Sequence, residues 1–119
     1  MWIIPAIDLK AGRVVRLTRG VREQETAYSD EPVTVLKRWE KEGAKLVHVV
    51  DLDGAFEGES RNFEVVRSLL RSARVPIQLG GGLRSFEAVE KAMGAGIWRT
   101  VIGTKALDRE FVSKLVKKF

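Results

Sequence analysis

The chain has 119 residues, of which 45% are hydrophobic and 31% charged, with a net charge of +5. This length suits one globular domain, residues 1–119, and is too short for two. No apolar run approaches the about 20 residues that cross a bilayer, and the amino terminus does not resemble a signal peptide. We therefore expect a cytoplasmic protein with no membrane partner.

Residue usage excludes several kinds of chemistry. The chain has no cysteine and a single histidine, His48, so disulfides, thiolate nucleophiles and His-rich metal sites are excluded. We expect no metal and no cofactor. Lysine and arginine are scattered among nearly as many acidic residues rather than gathered in a block, so we expect no nucleic-acid partner.

Apolar periodicity predicts four strands that alternate with helices, which begin at Asp30-Glu31-Pro32, Asn62, Ser85 and Asp108. Gly43 and Gly94 are predicted to end the first and third helices. The three tryptophans, Trp2, Trp39 and Trp98, are most simply core residues. The predicted strands are Trp2–Ile7, Leu46–Val50, Pro76–Leu79 and Trp98–Ile102.

Strict alternation of apolar strands with helices predicts an α/β fold with a parallel sheet, (βα)4. A closed (βα)8 TIM barrel takes about 250 residues, so this pattern is half of one. The first and fourth strands would then be open edges, and a barrel-like sheet would leave its inner face uncovered. We therefore expect another structural element to complete the barrel.

Glycine-bearing loops follow the third and fourth strands. Gly81 and Gly82 precede a helix capped by Ser85, and Gly103 and Thr104 follow the next strand. Backbone amides at such loops attract anions, and barrels commonly hold phosphate there. For either loop alone, glycines that merely permit tight turns are the simpler explanation. Together the two loops predict a phosphate site.

Acidic and basic side chains occupy the other strand ends. Asp8 ends an apolar strand, where burial would suit it to general acid or base work; a cap or a salt bridge to Arg13 or Arg16 explains it equally well. Asp51 and Asp53 more simply bind backbone amides than react. Arg16 and Arg84 are candidates to hold a second anionic group, although most exposed arginines are solvated or paired. For His48, a packed or hydrogen-bonded core role is the simpler reading.

Five segments in order resemble the amino-terminal half of the ProFAR isomerase family of histidine biosynthesis. They are Ile4-Pro5-Ala6-Ile7-Asp8-Leu9, Gly12-Arg13-Val14-Val15-Arg16-Leu17, His48-Val49-Val50-Asp51-Leu52-Asp53-Gly54-Ala55, Gln78-Leu79-Gly80-Gly81-Gly82-Leu83-Arg84 and Ile102-Gly103-Thr104. Arg16 and Gly103 differ from the lysine and asparagine usual in the sister cyclase of the same pathway. A dual-specificity relative that also isomerises the tryptophan-pathway analogue fits the motifs as well.

The resemblance implies an Amadori rearrangement that converts ProFAR, an aminoaldose ribonucleotide, to its aminoketose. It implies that Asp8 is the general base, that Gly81, Gly82, Gly103 and Thr104 form one of two phosphate sites, and that Arg16, His48 and Arg84 lie near the substrate. The family's general acid and second phosphate site belong to its other half. Two alternatives therefore follow: a half-barrel that becomes an isomerase on assembly, and a catalytically silent phosphate-binding module.

The expected partners follow from the same resemblance. They are a phosphorylated ribonucleotide substrate or a phosphate ion, and either a second copy of this chain in a homodimer or a complementary carboxyl-terminal half-barrel. In the homodimer, the fourth strand of each copy would pair with the first strand of the other, forming a (βα)8 barrel with two copies of Asp8.

Overall fold

The structure, a computed structural model, describes residues 1–18, 21–29, 31–57 and 62–119, with side chains for 1–15, 31–55 and 62–119. The elements in chain order are β1 Ala6–Lys10, β2 Arg13–Thr18, β3 Val21–Ser29, α1 Pro32–Lys41, β4 Val47–Asp51, α2 Leu52–Glu57, α3 Phe63–Ser72, β5 Ile77–Gly80, α4 Phe86–Ala95, β6 Arg99–Val101, a 3₁₀ helix Thr104–Leu107 and α5 Arg109–Lys118.

The sheet has six strands in the order β3-β2-β1-β4-β5-β6. Strands β1, β4, β5 and β6 are parallel neighbours, and a helix of ten residues (α1, α3 or α4) lies in the chain between each of them and the next, with α5 after β6. This confirms the predicted α/β fold with a parallel core, consistent with half of a TIM barrel. The bounds of the later three predicted strands are each within one residue of those observed, whereas the first strand runs from Ala6 to Lys10 and not from Trp2 to Ile7.

An antiparallel hairpin, β2–β3, is the main departure from the prediction. It pairs with β1 on the side away from β4, with Asp8 opposite Val15 and Lys10 opposite Arg13. The prediction that the first strand is an open edge is therefore wrong: the edges of this sheet are β3 and β6. The two-residue turn Ala11–Gly12 has positive φ at both positions, 49° and 76°. Such turns suit the twist of a hairpin, but the usual sequence signal is Asn-Gly or Asp-Gly.

The two faces of the parallel core differ in what covers them. One face, with Ile7, Val49 and Leu79, is buried against the helices, each side chain being at most 3% exposed. Successive residues of a strand point to opposite sides, so His48 and Gln78 lie on the other face. The β6 side chains on that face are exposed, and we call it the open face.

Local capping signals were mostly correct. Ser85 accepts a hydrogen bond from the amide of Ala88, and Asp108 from that of Phe111, so both cap their helices as predicted. Gly94 does not end α4, because the helix continues to Ala95 and Gly96 adopts the left-handed cap with φ 110°. Asp30 lies outside the described residues, and the N-cap residue of α1 is Glu31, whose side chain makes no capping hydrogen bond.

Two of the three tryptophans are not core residues. Trp39 packs against the core, but Trp2 is 70% exposed and Trp98 is 51% exposed. Trp2 lies four residues before β1, and Trp98 lies directly before β6. Apolar character alone therefore misassigned them.

Candidate active site at the carboxyl ends of the strands

The carboxyl ends of the parallel strands converge on the open face. Asp8 of β1 is level with Val50 of β4, which is level with Gly80 of β5. The residues that follow β5 and β6 form a cleft of about 260 Å³. Its lining includes six of the eight predicted site residues: His48, Gly81, Gly82, Arg84, Gly103 and Thr104.

Three larger hollows among the described residues lie away from these strand ends. One, of about 390 Å³, is lined by the amino terminus and the end of α1. Another, of about 520 Å³, lies between α3 and α4, and a third, of about 600 Å³, lies between α4 and α5. None of the three is lined by a predicted site residue. The smaller cleft is therefore the candidate site, because it alone of the four joins the strand ends, loop amides and polar side chains.

The glycines after β5 are required by packing. Gly81 and Gly82 have positive φ, 96° and 74°. A Cβ on Gly81 would lie 2.3 Å from the carbonyl oxygen of Asp51, and one on Gly82 would lie 2.7 Å from the Cα of Gly54. The glycine loop thus lies directly on the end of β4 and the first turn of α2, backbone against backbone. Close approach to this neighbouring backbone explains both glycines without a ligand.

A polar network below the cleft holds the β1–β2 turn. The amide of buried Asn62 donates to Asp51 at 2.7 Å and to Asp53 at 2.9 Å. Asp53 accepts the backbone N–H of Ala11 at 2.8 Å, and Asn62 accepts that of Gly12 at 2.8 Å. The expectation that these aspartates bind loop amides is confirmed. Asn62 does begin α3, but its side chain bridges two carboxylates and does not cap the helix.

Arg84 and Lys105 bring positive charge to the cleft wall. Arg84 donates through Nη2 to the carbonyl oxygen of Ala55 at 2.9 Å, which connects the loop after β5 to α2. Lys105 lines the cleft and pairs with Asp108 at 3.0 Å. Sequence analysis missed Lys105, although its place directly after Thr104 in the fourth βα loop was a usable signal.

Asp8 and His48 influence each other on the open face. Burial raises the pKa of the Asp8 carboxyl above its usual value, and the charge of protonated His48 lowers it in part. Burial also lowers the pKa of His48, with Asp8 raising it and Arg99 lowering it. Asp8 is thus a half-buried carboxylate with increased proton affinity, as a general base requires. Asp8 does not itself line the cleft.

The side chain of Arg16 lies outside the described residues, so the structure does not relate it to the site. Within the described ranges, no group of three or more His, Asp or Glu residues is arranged to hold a metal ion. No helix of the described residues is long and apolar enough to span a bilayer.

The parallel core, its open face and a cleft at the strand ends define an α/β protein of the β/α-barrel class. Within that class, the chain belongs to the family described as histidine biosynthesis protein, which matches residues 2–119.

Three curated relatives are similar along the whole chain. They come from Persephonella marina (45% identical), Roseiflexus castenholzii (48%) and Moorella thermoacetica (48%), and they cover 99%, 100% and 100% of this chain. Each is named as an isomerase of an imidazole-4-carboxamide that carries two phosphoribosyl groups. The chain covers 49%, 51% and 49% of these relatives, and so spans about half of their length.

Proposed function

We propose that this chain forms the amino-terminal half of a ProFAR isomerase, with Asp8 as general base and the cleft as one of two phosphate sites. The observation that carries the proposal is the convergence of six predicted site residues on one cleft, on the face that also bears Asp8. The names of the relatives support ProFAR as the substrate and the expectation of two phosphate sites, because a substrate with two phosphoribosyl groups presents two phosphates.

The expected chemistry is an Amadori rearrangement. Opening of the aminoaldose ring, after a proton is delivered to the ring oxygen, breaks the bond between C1 and that oxygen and gives a protonated imine at C1. Asp8 then takes the proton from C2, which gives an enaminol, and reprotonation at C1 with loss of the O2 proton gives the aminoketose. A carboxylate of raised proton affinity suits the C2 step. The amides of Gly81, Gly82 and Gly103 and the Thr104 hydroxyl would hold one phosphate.

Ring opening needs an acid as well as a base. By the family resemblance, that acid and the second phosphate site lie in the half of the relatives that this chain does not cover. We therefore expect weak or no turnover from residues 1–119 alone, and turnover once a complementary half is supplied. A silent phosphate-binding module would bind phosphate equally well but would stay inactive after complementation.

Exposed apolar groups support an assembled form. Trp98 and Val101, next to and on the edge strand β6, are 51% and 41% exposed, and Ile3 is 76% exposed before β1. A complementary carboxyl-terminal half or a second copy would cover these groups. In a second copy, β6 would have to pair with the chain before Asp8, because β2 already pairs with Asp8 to Lys10.

Turnover after complementation tests the proposal. The carboxyl-terminal half of the Persephonella marina isomerase would be expressed separately, mixed with this chain and assayed with ProFAR. We expect turnover in the mixture, and none with Asp8→Asn or with either half alone beyond a trace. Sedimentation equilibrium would distinguish a homodimer from the mixed pair. A stable mixed complex that binds phosphate but does not turn over ProFAR would favour the silent module and overturn the proposal.

A further inference from the structure

Three polar side chains form a row across the open face. His48 of β4 is in register with Gln78 of β5, and Gln78 with Arg99 of β6. The Gln78 amide nitrogen lies 3.0 Å from Nδ1 of His48, and Arg99 donates through Nε to Oε1 of Gln78 at 2.6 Å. Neither Gln78 nor Arg99 belongs to the site residues expected from the sequence.

The chemistry of arginine determines which group donates and which accepts in each hydrogen bond of this row. A guanidinium carries only donors and stays charged in proteins. The Gln78 group that faces Arg99 must therefore be the carbonyl oxygen, which turns the amide N–H toward His48. Because an N–H donates, Nδ1 of His48 must offer its lone pair. In neutral His48 the proton must then be on Nε2.

Two further contacts fix the ends of the row. The Arg99 guanidinium carbon lies 4.7 Å from the ring centroid of Trp98, a cation–π distance. At the other end, the Cε1–Nε2 edge of His48 lies over Gly80: a Cβ there would be 3.4 Å from Cε1 and 3.8 Å from Nε2. His48 and Gly80 both line the cleft. The proton on Nε2 is therefore on the ring edge beside the cleft.

We propose that Gln78 and Arg99 are positioning residues that hold neutral His48 in its Nε2–H tautomer, so that the imidazole offers the cleft a hydrogen-bond donor for a ligand oxygen. His48 is then a binding group for an oxyanion or a sugar oxygen and not a second base beside Asp8. The ligand part of this inference rests on the proposed function. The tautomer itself does not.

The surrounding charges agree with a neutral ring. Asp8 on β1 favours protonation of His48, while Arg99 on β6 opposes it and burial lowers the pKa further. Arg84 and Lys105, the other charged residues lining the cleft, are both cationic. Protonating Nδ1 would also require the Gln78 amide to turn over, which would leave Arg99 facing a donor.

The single histidine makes the tautomer directly measurable. Protein labelled with ¹⁵N-histidine would be examined without ligand, above the pKa of the ring, by long-range ¹H–¹⁵N correlation. We expect Nε2 to carry the proton almost exclusively, with a preference about fivefold or more above that of free neutral histidine, which itself favours Nε2–H. A majority of Nδ1–H, or a ratio no higher than that of free histidine, in the unsubstituted protein would overturn the inference.

Substitutions separate positioning from mere structure. Gln78→Leu and Arg99→Leu should each lower the tautomer ratio toward that of free histidine, and Gln78→Glu should invert the preference, because a carboxylate accepts from Nδ1–H. Arg67→Leu on α3, which removes a charge elsewhere, should change nothing. Arg99→Leu changes an exposed side chain, so it remains informative if the Gln78 variants do not fold. An unchanged tautomer in folded Arg99→Leu would refute the positioning role.

The same labelled protein reports on ligand binding. Titration with inorganic phosphate should shift the Nε2 resonance of the unsubstituted protein and shift it less in Arg99→Leu. If the Nε2–H tautomer is observed but complementation gives no ProFAR turnover, the inference stands and the proposed function fails. If turnover is observed with an Nδ1–H tautomer, the proposed function stands and the inference fails.

Discussion

Replacing Gly81 by alanine tests whether the glycine loop is fixed by its contact with the end of β4. The new Cβ would lie 2.3 Å from the carbonyl oxygen of Asp51 and 2.9 Å from its carbonyl carbon. Both are backbone atoms at the end of a buried strand, so neither moves cheaply. In addition, a φ of 96° is one that side-chain-bearing residues rarely adopt.

The expected cost is the sum of two effects. A Cβ in a left-handed conformation costs about 1–2 kcal/mol. Forcing an extra carbon into a packed region costs about 1–3 kcal/mol more. We therefore expect Gly81→Ala to lower the free energy of unfolding by about 2–5 kcal/mol, a large part of the about 6–18 kcal/mol typical for a domain of this length.

Gly94→Ala is the matched control. Gly94 lies within α4, and a Cβ there would meet nothing within 4 Å. Alanine is favoured over glycine in a helix by up to about 1 kcal/mol, so this variant should gain stability. Urea denaturation followed by circular dichroism would compare the two variants with the parent protein. A loss below about 1 kcal/mol in Gly81→Ala, or equal effects of the two substitutions, would refute the packing argument.

Three further predictions concern buried or charged side chains. Asn62→Ala should cost about 2–4 kcal/mol in urea denaturation, because Asp51 and Asp53 each lose a buried donor; a loss under 1 kcal/mol would contradict this role. Asp8→Asn should be more stable than the parent at pH 7. The raised pKa makes the buried carboxylate costly above its folded pKa, and the gain should vanish below the ordinary value of 3.8; a destabilised variant at pH 7 would contradict it. Burial acts to raise the pKa of Glu40, but its hydrogen bonds with a lysine and two backbone amides lower it overall. Glu40→Ala should therefore lower the free energy of unfolding by about 1–2 kcal/mol at pH 7. The difference from the parent protein should shrink below pH 4.5 as the parent carboxylate is protonated. A constant difference in thermal unfolding across pH would contradict this prediction.

Local signals account for what the sequence determined. Alternating apolar strands and helices, with Ser85 and Asp108 at helix starts, predicted a parallel α/β core because periodicity and caps depend on neighbours within a few residues. The grouping of Gly81 with Thr104 followed as well, because the carboxyl ends of adjacent parallel strands share one edge. The resemblance added Asp8 as a candidate base.

Tertiary structure decided the rest, because those features depend on residues far apart in the chain. The hairpin turn Ala11–Gly12 lacks a strong local signal and is held by Asp53 and Asn62, which lie about 40 and 50 residues further on. The cap-like position of Asn62 was visible in the sequence, but the two carboxylates that its amide bridges were not. The donor and acceptor roles of His48, Gln78 and Arg99 depend on strand register, because only the pairing of β4, β5 and β6 brings Gln78 between the imidazole and an arginine. A sequence specifies which side chains a strand carries, whereas register specifies which of them touch.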